Sequence, residues 1–152
     1  GITPSNLAKR SQDLNLIGFG ANCGIGAPDL LATINDISKS VDPGTVVISK
    51  ANCGIPEFVD GSIIYSGTEE LMSEYVRIAM NSGAKIIGGC CGTSFDHVRA
   101  MRKAMDDHIV TSAPTLEEIE EKVGAMSEGS RSIFKGDDSK PTKQRRSRRA
   151  RT

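Results

Sequence analysis

At 152 residues the chain is long enough for one domain with its own core, and 38% apolar with 25% charged residues excludes disorder over its whole length. No run approaches the roughly 18 consecutive apolar residues of a membrane span, and no signal peptide opens the sequence. Nineteen Lys/Arg balance nineteen Asp/Glu, but unevenly: from Lys135 onward eight bases meet only Asp137 and Asp138, so an acidic body carries a basic tail.

In chain order, a first helix is predicted over 5–14, just after Pro4. A short apolar strand, Leu16-Ile17-Gly18-Phe19, then runs into Gly20-Ala21-Asn22-Cys23-Gly24-Ile25-Gly26. Pro28 starts a second helix, whose Leu30, Ile34, Ile37 and Val41 share one helical face until Asp42-Pro43-Gly44 breaks it. A second strand, Thr45–Ser49, leads into Lys50-Ala51-Asn52-Cys53-Gly54-Ile55-Pro56. Ser66-x-x-Glu69 reads as a capping box for a third helix with an apolar stripe at Leu71, Tyr75, Ile78 and Ala79. Gly83 closes that helix, and a third strand (Ala84, Ile86, Ile87) delivers Gly88-Gly89-Cys90-Cys91-Gly92-Thr93. Val98, Met101 and Met105 mark the next helix, and Thr115-x-x-Glu118 caps a last one with Leu116, Ile119 and Val123 as its buried side. The apolar pattern fades beyond Glu128, so residues 1–127 read as the domain and 128–152 as a disordered basic tail.

The order α-β-α-β-α-β-α-α, with short strands that barely alternate, is that of a parallel sheet covered by helices. Each strand ends in a glycine-rich loop holding cysteine, and in parallel α/β folds such loops lie side by side. Cys23, Cys53, Cys90 and Cys91 are thus expected at one mouth. Adjacent cysteines are poor partners for each other in a disulfide, whereas two thiols on a glycine-lined turn suit a soft metal. Four cysteines without a secretory signal also argue for reduced thiols and a cytoplasmic location. Residues 21–25 and 51–55 are the same pentapeptide, Ala-Asn-Cys-Gly-Ile, so Cys23 and Cys53 look equivalent. Four thiolates would make a closed structural zinc site, and three would leave one position open. The absence of paired Cys-x-x-Cys spacing argues against the closed option.

Three of these motifs together resemble the homocysteine S-methyltransferases: Gly20-Ala-Asn-Cys23-Gly, Asn52 within Lys50–Pro56, and above all Gly88-Gly-Cys-Cys-Gly-Thr93. The likeness covers roughly residues 15–105, and the family includes betaine–homocysteine methyltransferases and the homocysteine-binding module of cobalamin-dependent methionine synthase. The resemblance implies Zn²⁺ held by Cys23, Cys90 and Cys91, with Cys53 not a ligand. It also implies Asn52 close to the metal, at the fourth position before substrate binds. It further implies a TIM (β/α)₈ barrel, which needs about 250 residues. The chain is therefore expected to be the carboxyl-terminal portion, the last three β/α units, with other strands supplied by a complementing N-terminal barrel segment or by oligomerisation. Expected partners are homocysteine and an activated methyl donor, betaine-like in preference to methylcobalamin because no cobalamin module follows. The alternatives are a module of methionine synthase or a non-catalytic zinc-binding half-barrel.

Other features carry less. Gly18-Phe-Gly20 invites a dinucleotide-binding reading, but Cys23 stands where that fingerprint needs its third glycine. His97 and His108 read as surface residues, Met101 and Met105 as core, and Glu117, Glu118, Glu120 and Glu121 as a solvated helix face. Arg145–Arg151, with no aromatic interleaving, reads as a solubilising tail rather than a nonspecific nucleic-acid contact.

Overall fold

The computed structural model describes residues 2–137; the basic run Arg145–Arg151 lies outside them. The first helix, α1 (Pro4–Asp13), is capped by the Thr3 side chain, which accepts from Asn6 N. It leads into strand β1 (Gly18–Asn22), and the next helix, α2 (Ala27–Ser40), starts on Pro28 as expected. Leu30, Leu31, Ile34 and Ile37 of α2 are buried in the core. Strand β2 (Val46–Ala51) follows, and then an antiparallel hairpin of β3 (Pro56–Val59) and β4 (Ser62–Tyr65). Helices α3 (Glu69–Asn81) and α4 (Phe95–Asp107) flank strand β5 (Ile86–Gly89), and α5 (Leu116–Val123) and α6 (Glu128–Phe134) complete the described chain.

Strands β1, β2 and β5 form one parallel sheet in the order β1-β2-β5. This is the expected α/β layout, and three adjacent parallel strands are consistent with part of a barrel. Val47, Ser49 and Ala51 of β2 are buried on one face of the sheet, where the α3 residue Tyr75 places its hydroxyl 2.6 Å from Ser49 Oγ. Among the described residues the opposite face is open. Register places Gly18, Gly20 and Asn22 beside Val46, Ile48 and Lys50, and Ile48 and Lys50 beside Ile86 and Gly88. On that face Val46 and Ile48 are half-buried, Lys50 is exposed and Ile86 is 53% exposed. Gly20 is needed there: a Cβ would overlap the Ile48 carbonyl oxygen, so β1 could not approach β2 in register.

Three local features depart from the sequence reading. The cap of α3 is Thr68, whose side chain accepts from Leu71 N, rather than Ser66; Glu69 is already the first helical residue. The hairpin was not foreseen, although Asp60-Gly61 between β-branched and aromatic residues is a hairpin signal, and both residues have positive φ (48° and 80°). Helix α6 forms where the apolar pattern fades. It is held by tertiary partners: Ser127 Oγ donates to Asp29 Oδ1 at 2.5 Å, Arg131 pairs with Glu120, and Lys39 sits over the Phe134 ring. No helix of the described residues is long and apolar enough to cross a membrane.

Candidate metal centre

The carboxyl ends of the three parallel strands are stitched together by backbone. Cys23 N donates to Lys50 O at 2.9 Å, Cys90 N to Ala51 O at 2.7 Å, and Cys53 N to Cys91 O at 2.9 Å. These bonds put all four cysteines in one neighbourhood, as the sheet topology requires, but the side chains divide.

Cys23, Cys90 and Cys91 turn their sulfurs toward one another within 4.8 Å. Cys23 Sγ lies 3.8 Å from Cys91 Sγ, and Cys90 Sγ lies 3.9 Å from Cys91 Sγ. Sulfurs on a tetrahedral zinc with bonds of about 2.3 Å stand about 3.8 Å apart, so this donor set suits Zn²⁺ in both softness and spacing. Cys53 goes elsewhere. It is fully buried, with Gly67 against it so closely that a Cβ there would come within 2.7 Å of its sulfur. Burial pushes the Cys53 thiol up, toward the neutral form.

Backbone conformation separates the two identical pentapeptides. Cys23 has φ 65°, a left-handed conformation that is uncommon for a residue with a side chain, whereas Cys53 is not among the positive-φ residues. Such strained backbone persists where its surroundings hold it, and here it accompanies a half-buried sulfur beside those of Cys90 and Cys91. The asparagines differ as well. Asn22 is exposed at the end of β1, its Nδ2 4.0 Å from Cys90 Sγ. Asn52 is 1% exposed and spans the two cysteine loops: Nδ2 donates to Gly24 O at 2.9 Å, and Oδ1 accepts from Cys91 N at 3.2 Å.

Electrostatics also differentiates the sulfurs in the metal-free chain. Hydrogen bonds from Cys91, from the Gly24 backbone and from Cys90 hold Cys23 below the ordinary thiol range. Beside Cys91 the Tyr65 phenol draws the thiol down, but Cys23 and Cys90 outweigh it and the balance lies above the usual value. The same hydrogen bond with Cys91 pushes the Tyr65 phenol up.

Two residues near the cluster escaped the sequence reading. Tyr65 ends the hairpin, and its ring covers Gly92, where a Cβ would overlap Tyr65 Cβ and Cγ; Gly92 also has φ 75°. Only recognition of the hairpin would have placed it there. His97, expected at the surface, is half-buried. Ser94 N donates to its Nδ1 at 2.9 Å, which leaves the proton on Nε2, 3.4 Å from Cys53 Sγ. His97 thereby occupies the helix position where a capping-box glutamate usually sits and braces α4 against the β2 loop. His108 is likewise half-buried, its Nε2 2.9 Å from Asn81 Oδ1.

Residues 1–105 match the family model described as homocysteine S-methyltransferase.

Proposed function

The chain belongs to the homocysteine S-methyltransferase family, and from that premise we propose that it transfers a methyl group from an activated donor to the thiol of homocysteine, giving methionine. In this reading Cys23, Cys90 and Cys91 hold Zn²⁺. The observation that supports it is three sulfurs, from two loops far apart in sequence, gathered within 4.8 Å with spacings near those of a tetrahedral site. Held by these three cysteines, Zn²⁺ would supply Lewis acidity that lowers the pKa of an acceptor thiol, making thiolate available at neutral pH.

The protein's own groups then have distinct tasks. The left-handed backbone at Cys23 accompanies the approach of that sulfur to the pair in the turn after β5. Asn52 braces the two cysteine loops that would form the acceptor's seat. The Tyr65 phenol beside Cys91 favours the thiolate of that sulfur. The groups nearest the cluster form hydrogen bonds and do not activate a methyl group, so the methyl arrives on an ammonium, a sulfonium or cobalt, a betaine-like donor being preferred. We place β1, β2 and β5 as the last three strands of a (β/α)₈ barrel, acting in the cytoplasm.

Methionine formation from homocysteine, assayed with each donor class, tests the activity. Cys23→Ala, Cys90→Ala and Cys91→Ala are expected to lose zinc against a chelator, and Cys53→Ala to keep it. Equal zinc loss in Cys53→Ala and Cys23→Ala would overturn the ligand set. The open sheet face favours a second reading, a half-barrel that holds zinc but turns over only with a complementing barrel segment. Activity that appears only on adding such a segment would distinguish it.

A further inference from the structure

On the open face of the sheet, one register row lies next to the cysteine cluster: Asn22, Lys50 and Gly88. Lys50 occupies the central strand, its carbonyl accepts from Cys23 N, and its row neighbour Gly88 stands two residues before Cys90. Its side chain is exposed and lies along Gly88, where a Cβ would come 3.6 Å from Lys50 Cγ and 3.8 Å from Cε. The stem thus runs across the sheet toward β5, the strand that leads into Cys90 and Cys91. Among the described residues the ion pairs are made by Arg77, Arg99, Arg102, Lys122 and Arg131, and Lys50 is in none of them.

We propose that Lys50 selects the acceptor, by pairing its ammonium with a carboxylate on the thiol that enters the cysteine cluster. This rests on the homocysteine reading above and adds to it which feature of the acceptor is read. Three thiolates around a divalent ion carry a net charge of −1. A carboxylate a few carbons from the entering sulfur would meet that charge at short range, where like charges repel. A cation on the same row reverses the local sign. Lysine also suits the task because its long stem lies over glycine while its head stays in solvent. Thiols of the same length without a carboxylate gain nothing from Lys50, so the preference is chemical rather than steric.

The test compares homocysteine with its decarboxylated analogue, 3-aminopropane-1-thiol, by calorimetric titration of the zinc-loaded full chain. The expected result is tighter binding of homocysteine by the native protein. Lys50→Met weakens homocysteine by about tenfold or more, the scale of a hydrogen bond to a charged group. It leaves zinc retention unchanged and does not weaken the analogue, whose ammonium Lys50 does not attract, and Lys50→Arg keeps most of the preference. Two outcomes overturn the role of Lys50 while leaving the thiol acceptor in place: equal weakening of both thiols, or no change for either. Native protein that binds neither thiol would overturn the acceptor reading and this inference together.

Discussion

Cys23 and Cys53 sit in identical pentapeptides, yet one sulfur joins a cluster and the other is sealed behind Gly67 and His97. The difference lies in φ at one residue and in what stands across the sheet, since β1 is an edge strand and β2 is central. It has a chemical readout in the metal-free chain. Only thiolate alkylates, so a thiol whose pKa is lowered reacts at lower pH than one whose pKa is raised. Cys23 is held down by its neighbours, Cys91 is pushed up on balance, and Cys53 is pushed up by burial. Iodoacetamide labelling followed residue by residue by mass spectrometry should therefore show the Cys23 profile on the acid side of Cys91. Cys53 should label only when the fold opens. Coincident profiles for Cys23 and Cys91 would contradict this electrostatic assignment.

Elements in this chain owe their positions to a few specific partners. Tyr75 fixes α3 to β2: it is fully buried, burial pushes its phenol up, and its hydroxyl has Ser49 Oγ at 2.6 Å. Tyr75→Phe removes one partner and leaves the buried Ser49 hydroxyl without it, which should cost about 1–3 kcal/mol of unfolding free energy. Urea denaturation measures this, and Ser49→Ala in the same background should recover part of the loss, because removing both polar partners is cheaper than removing one. The hairpin behaves differently. Phe58 is 76% exposed and Ile63 64%, so its strands gain little from burial, and near the site Tyr65 packs against Gly92. Helix α6 is another case. Its seven residues are too few to be stable alone, and contacts with Asp29, Glu120 and Lys39 order it.

At the scale of the whole molecule, among the described residues the three-stranded sheet has free edges at β1 and β5 and one open face bearing Val46, Ile48 and Ile86. Parallel sheets are ordinarily covered on both faces, and unpaired edges are templates for pairing with other chains. The chain alone is therefore expected to associate with rising concentration in sedimentation velocity. Ile86→Lys, which places a charge on the open face, should reduce that association while zinc retention is kept. A monomer at every concentration would show that the open face is tolerated in water.

The sequence by itself determined the alternation of helices and parallel strands, because the apolar spacing and the Pro, Gly and Thr punctuation are local signals. It also brought the cysteine loops to one end, since successive parallel strands must end on the same side. Local signals likewise marked the Asp60-Gly61 turn, but one short turn between exposed strands does not stand out from loop sequence. Tertiary structure alone decided which sulfurs meet. Two copies of Ala-Asn-Cys-Gly-Ile have the same propensities, and what separates Cys23 from Cys53, Asn22 from Asn52 and an exposed His97 from a half-buried one is the register of strands and the cover over each loop. Such side-chain directions come from contacts between residues tens of positions apart, which no window of sequence contains.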